Sequence, residues 1–172
     1  MLNKKNNDYL ESKNFEDLSF HDNYVYGFFV RKKEFGEDLI IDIDFISEWI
    51  CHKDKPFSFK IVPANLIFFD LVDFEINLSW GKSLSQPDPK FAITHMPSGE
   101  LILNGIKKET FKDPIYNNEK HKFHKYIFDF ITPEKGILNL GATKVRLIGR
   151  KGPVESTKQH LDWSMRPGLF ET

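Results

Sequence analysis

The sequence predicts a mainly β protein, an antiparallel sandwich or partly open barrel of about nine or ten strands, with short helical elements near the termini. Three observations lead there. The 172 residues include 17 Phe and 16 Ile but only 3 Ala, bulky sheet-compatible side chains in place of the small residue that a helical bundle favours. Apolar residues recur with a period of two, and no helical period is sustained. Turn residues interrupt these runs at intervals of roughly 8–14 residues, a spacing suited to short strands.

Taken in order, residues 1–19 read as an N-terminal arm or a short helix, and residues 20–172 as one β-rich domain that ends in a C-terminal tail. Tyr24, Tyr26, Phe28 and Val30 alternate, as on one buried face of a first strand. After the turn at Gly36, Leu39, Ile41, Ile43 and Phe45 mark the inward face of a second strand, with Asp38, Asp42 and Asp44 on the other side. The two should form a hairpin whose register is fixed, because a one-residue slip would drive the carboxylates into the core. Residues 46–52 lose the alternation and are compatible with a strand continuation or one helical turn.

Residues 56–62 alternate again, Pro63 is expected to break the run, and residues 66–69 are apolar on both faces, as in a covered central strand. Residues 73–80 place Phe74, Ile76, Leu78 and Trp80 inward and are expected to pair with the strand before them. Ile76→Asp should then be severely destabilising and Glu75→Lys nearly neutral. Residues 81–90 form a loop, 91–95 a short strand, 100–107 another, and 107–122 a long charged loop. Further strands follow at residues 123–131 (Tyr126, Phe128 and Phe130 inward), 137–140 and 144–150 (Val145 and Leu147 inward). The segment 156–163 has weak helical potential.

Charge and cysteine content narrow the function classes. There are 24 basic and 25 acidic residues, a net charge of -1, so no global field draws the chain to nucleic acid or an anionic membrane. Of the cations 20 are Lys and 4 are Arg, the reverse of what bidentate phosphate or guanine recognition selects. Cys51 is the single cysteine, which excludes an intramolecular disulfide and Cys-rich zinc modules. With no apolar stretch near membrane length and no leader signature, the expectation is a cytoplasmic protein without nucleic-acid or membrane partners.

Two groups of residues carry potential chemistry. His21 and Asp22 precede the first strand, and Asp42 and Asp44 lie two apart on the polar face of the second; together they form a mixed nitrogen and oxygen set of the kind that binds a ligand or a divalent metal. The plainer alternative is a backbone hydrogen bond from the His-Asp pair and a solvated acidic face that guards the strand against aggregation. In the tail, Gln159, Trp163 and Arg166 are candidate interface residues, in a segment whose aromatic, methionine and arginine are types enriched at interface anchors. Leu161 and Trp163 would serve equally well to cap an open end of the sheet.

Weaker candidates fall away on geometry. Cys51 and His52 are adjacent, so on a strand they face opposite ways, and a buried inert thiol is expected; on a helix Glu48 and His52 would share a face without it. His121 and His124, three apart, would also diverge on a strand, in a solvated loop with Lys120, Lys122 and Lys125. Gly81-Lys82-Ser83 lacks the upstream glycine of a phosphate-binding loop. No catalytic residues are assigned.

Phe20-His21-Asp22, Asp42-Ile43-Asp44-Phe45-Ile46 and Pro63-Ala64-Asn65-Leu66-Ile67-Phe68 together resemble a group of small bacterial β-rich proteins akin to immunity proteins that neutralise the toxins of neighbouring cells. The resemblance implies a non-catalytic, cytoplasmic binding protein without cofactor, and it carries over no functional residues. The expected partner is another protein. A metal-binding protein or hydrolase using His21, Asp22, Asp42 and Asp44 is the alternative, and a small-ligand β-barrel with an aromatic interior is a third.

Overall fold

Leu39, Ile41, Ile43 and Phe45 are almost completely buried in the computed structural model, which describes residues 14–54, 56–79, 100–120 and 122–168. They line the inner face of β2 (Glu37–Ile50), which pairs in antiparallel register with β1 (Asn23–Lys32), so the expected hairpin forms. The ambiguous residues 46–50 continue β2, with a bulge between Ile46 and Glu48. The remaining strands are β3 (Ser58–Phe69), β4 (Val72–Asn77), β5 (Leu101–Thr110), β6 (His124–Thr132), β7 (Ile137–Ala142), β8 (Lys144–Gly149) and β9 (Val154–Ser156). Single 3-10 turns at Phe15–Asp17 and Trp163–Met165 are the helical elements among the described residues.

The nine strands form one antiparallel sheet in the order β4-β7-β6-β5-β1-β2-β3-β8, with β9 also on β3, and the sheet does not close into a barrel. It folds over on itself instead. Phe68 of β3 lies 5.0 Å from the Tyr126 ring and 5.7 Å from that of Phe128, although β2, β1 and β5 separate β3 from β6 within the sheet. Side chains from β1, β2, β3, β5, β6, β7 and β8 fill the enclosed core. Each fully buried Leu, Ile or Phe contributes about 1.5–3 kcal/mol of transfer free energy, so this interior is the main stabilising element.

Local chemistry fixes the sharp fold. Asp70 and Asp73 adopt left-handed backbone (φ 57° and 47°), a region that Asp tolerates better than most residues. Thr143 N–H donates to Phe69 O (3.0 Å) and Leu71 N–H to Glu37 O (2.8 Å). Beneath the turn, Asp38 is completely buried, accepting from Arg31 (2.7 Å), from Lys33 (2.7 Å) and from Asp70 N–H (3.2 Å). The β3–β8 and β4–β7 ladders thus meet at a corner held by ions as well as backbone.

Several sequence expectations need correction. A bulge between Val25 and Gly27 shifts the phase of β1, so Tyr24 and Tyr26 share the outer face with Asp44 while Val25 and Phe28 turn to the core. Pro63 does not break β3. It faces Asp44 on β2, but its carbonyl accepts from Arg150 N–H (2.8 Å) on the opposite edge, so its missing N–H falls where β9 has ended and β8 begins. β4 pairs with β7 and not with β3, and among the described strands it lies at the edge of the sheet. Ile76 has the inward phase, opposite buried Leu138, yet it is 44% exposed and Phe74 37%, so the severe penalty expected for Ile76→Asp does not follow. β5 runs on to Thr110 through what reads as loop, β9 (Val154–Ser156) ends where the 156–163 segment of weak helical potential begins, and that segment meets helical structure only at the 3-10 turn Trp163–Met165. Trp80, the 81–90 loop, the 91–95 strand and His121 lie outside the described residues.

Candidate functional site

The alternation that buries Leu39, Ile41, Ile43 and Phe45 forces Asp42 and Asp44 onto the outer face of β2. That face is not solvated. Val154 of β9 and Leu161 of the tail pack over Ile46, Phe59 and Ile61 there, forming a second apolar cluster. Under this cover the Asp44 side chain is 0% exposed and that of Asp42 14%. Burying unpaired carboxylates would be prohibitive, so partners are required.

The tail and the end of β8 supply them. Arg166 donates through Nη1 to Asp44 and through Nη2 to Asp42 (2.5 Å), and Arg150 Nη2 donates to the same Asp42 oxygen (2.5 Å). Asp44 also accepts from Leu161 N–H (2.7 Å) and from the Tyr26 hydroxyl (2.9 Å), which the β1 bulge brings to this face. The Arg166 guanidinium lies 3.4 Å over the Tyr26 ring, a cation–π contact. Two carboxylates face two guanidiniums, both arginine side chains being at most 3% exposed, so the cluster is internally neutral. Burial, then the Asp44 charge and hydrogen bond, push the Tyr26 hydroxyl well above the usual phenol range. Burial also draws Arg150 below the usual arginine range, against the pull of Asp42. Arg150 Nε and Nη1 are buried without a hydrogen-bond partner.

His21 and Asp22 stand at the start of β1. Asp22 has left-handed backbone (φ 62°), its N–H donates to Leu103 O (2.8 Å), and its carboxylate lies 3.0 Å from His21 Nδ1. The same carboxylate accepts from Gln159 Nε2 (2.9 Å). His21 turns toward Trp49, with ring centroids 6.5 Å apart, and is not joined to Asp42 or Asp44 by a hydrogen bond or ion pair. The two groups singled out from sequence are therefore each other's partners: Gln159 binds Asp22, and Arg166 binds Asp42 and Asp44. Trp163, by contrast, is 77% exposed, its ring tilted against that of Tyr26 at 6.3 Å between centroids.

This arrangement restrains chemistry. Asp42 and Asp44 are already neutralised by guanidinium groups, and among the described residues no three His, Cys, Asp or Glu side chains converge as a metal set. Cys51 is exposed, not buried as expected, and Glu48 pairs with Lys60 (2.6 Å). His52 Nε2 lies 3.0 Å from Ser58 Oγ, which donates to Glu155 (2.9 Å), a relay that sequence reading missed because its members come from distant segments. With Ser58 donating to Glu155, the facing imidazole nitrogen must be the N–H donor, so it is not placed to remove the serine proton. Asp38, expected on the outward polar face of the second strand, is instead completely buried. Burial pushes its carboxyl up, but hydrogen bonds from Lys33, Arg31 and Asp70 N–H prevail and hold it below the usual carboxylate range.

Among the described residues no helix is long and apolar enough to cross a membrane. No known protein family, no curated protein and no solved structure matches the chain.

Proposed function

We propose that the chain is a non-enzymatic protein-binding domain of a bacterial cytoplasmic protein, of the toxin-neutralising immunity kind that its N-terminal motifs resemble. One observation carries the reading. The clamp of Arg166 and Leu161 on Asp44 fixes the tail at both ends of the 3-10 turn, yet that turn directs Trp163 (77% exposed) and Met165 (45% exposed) to solvent. Trp and Met are enriched in interface cores, and mounting them on a restrained segment lowers the ordering cost of association. Meanwhile the polar groups that a catalytic mechanism would need are occupied by one another.

The test is affinity capture with the tagged protein from lysate of the source cells, comparing wild type with a Trp163→Ala/Met165→Ala variant. A stoichiometric protein partner retained by wild type and lost by the variant, at unchanged melting temperature, is the expected result. Absence of any stoichiometric partner, or equal retention by the variant, would overturn the reading.

A further inference from the structure

We propose that the open edge of β8 binds an extended acidic polypeptide segment by strand addition. The inference rests on the protein-binding reading and assigns it a second surface, on the far side of β8 from β3. Among the described residues β8 ends the sheet path and pairs with β3 alone. Because Arg150 N–H donates to Pro63 O, the antiparallel alternation turns the main-chain groups of residues 144, 146 and 148 toward β3. Those of Val145 and Leu147 point the other way, and among the described residues no backbone hydrogen bond satisfies them. An unpaired edge of this kind is a template for another strand.

The space beside that edge is already shaped. A cleft of about 340 Å³ runs along residues 143–147 and is bounded on its other side by the 3-10 turn at Phe15–Asp17, by Lys108 of β5 and by His124 of β6. Lys108 and His124 occupy inward-phase positions: Lys108 is directly opposite Tyr126, which is 1% exposed, and His124 is two residues before it. Charged or titratable side chains thus take places at the mouth of the core where apolar ones would otherwise close it. Lys144 and Arg146 add positive charge along the edge, and among the described residues neither has a carboxylate partner. The single acid in the lining, Glu16, already sits on Lys108 Nζ (2.5 Å), showing the chemistry that the lysine accepts. Strand addition would place alternate acidic side chains against Lys144 and Arg146, while an inward-facing one would displace Glu16. The His124 imidazole, drawn below its usual range by burial and by Lys108 and pulled back by Glu16, would gain a proton more readily beside a bound acid.

The experiment titrates the full chain with a blocked peptide of Thr-Thr-Glu-Glu repeats, which presents glutamate on both faces of a strand, its counterpart with lysine in place of glutamate, and free glutamate, following backbone amide resonances. Saturable shifts centred on Val145 and Leu147, with the lysine peptide roughly tenfold weaker or more, are expected. Arg146→Glu, a surface change, should abolish binding. Val145→Pro, which removes an edge-facing N–H and spares the β3 ladder, should do the same, and Glu16→Gln should strengthen it. Equal binding of both peptides, shifts centred elsewhere, or free glutamate binding as well as the peptide would overturn the proposal. The Trp163→Ala/Met165→Ala variant should still bind the peptide. Failure of the peptide with partner capture intact would remove only the edge site, whereas peptide binding without partner capture would remove only the tail surface.

Discussion

Asp44 and Arg166, 122 residues apart, form an ion pair in which the carboxylate side chain is 0% exposed and the guanidinium side chain 3%. Both ions give up their hydration, so the pair adds little over an apolar contact, but breaking it strands a charge. Asp44→Asn should therefore cost about 3–5 kcal/mol by urea denaturation. Arg166→Met should cost less, because Asp44 keeps the Tyr26 hydroxyl and Leu161 N–H as donors. A loss below about 1 kcal/mol for Asp44→Asn would show that water, not protein, stabilises this charge.

Stability should fall in acid through the corner carboxyls. Asp38 is held low by Lys33, Arg31 and Asp70 N–H against the opposing effect of burial, and Asp70 is held low by hydrogen bonds from Lys33 and Thr143. A carboxyl depressed in the folded state contributes fully above its unfolded pKa, about 3.9, and loses that contribution as pH falls through the folded value. The urea midpoint should thus be flat from neutral pH to about 5 and decline below about 4. Asp38→Asn should flatten the decline; an unchanged slope would remove Asp38 from the account.

The two sides of the β4–β7 ladder should differ in sensitivity. Leu138 is 0% exposed and its partner Ile76 44%. Leu138→Ala should cost about 2–5 kcal/mol, and Ile76→Ala about 1 kcal/mol, since half its surface is already in water. Equal losses in thermal melts would mean that β4 is covered more fully than its exposure indicates.

Gly141 permits a close approach that no other residue would. A Cβ there would lie 2.5 Å from Val72 Cγ2 and 2.7 Å from the Phe111 ring, whereas at Gly27 it would meet nothing within 4 Å. Gly141→Ala should cost about 1–3 kcal/mol by overpacking, while Gly27→Ala should be neutral or slightly stabilising, readable as opposite shifts in melting temperature. Equal shifts would show that the β4–β7 contact relaxes freely.

The strand rhythm was legible because period two is imposed by the pleat itself; β2, the core half of β3, and β6 all follow it. What escaped depends on partners distant in sequence. The β1 bulge moves Tyr26 to the acidic face, and its one local trace is Gly27, a residue that within a strand often marks a bulge. Edge position explains Phe74 and Ile76, since burial depends on what lies next to a strand as well as on which way its residues point. The ion cluster did leave a trace. Of the chain's 4 arginines, Arg31, Arg150 and Arg166 bind the outward aspartates of β2, Asp38, Asp42 and Asp44. Arginine scarcity in a lysine-rich chain marks the positions where a planar, weakly hydrated cation was needed for burial. Read that way, the tail and the acidic strand were one feature.

The long span between Asp44 and Arg166 also imposes an order of events during synthesis. The first hairpin leaves the ribosome with its outer carboxylates facing no arginine from the tail, and at about 5–20 residues per second the 122 residues to Arg166 require roughly 6–24 s. Through that interval Asp42 and Asp44 must remain hydrated, so the outer face of the sheet stays wet while its inner face can already collapse. The nascent chain is thereby protected against premature pairing of its most apolar strands through that face, and the last turn of the tail seals it.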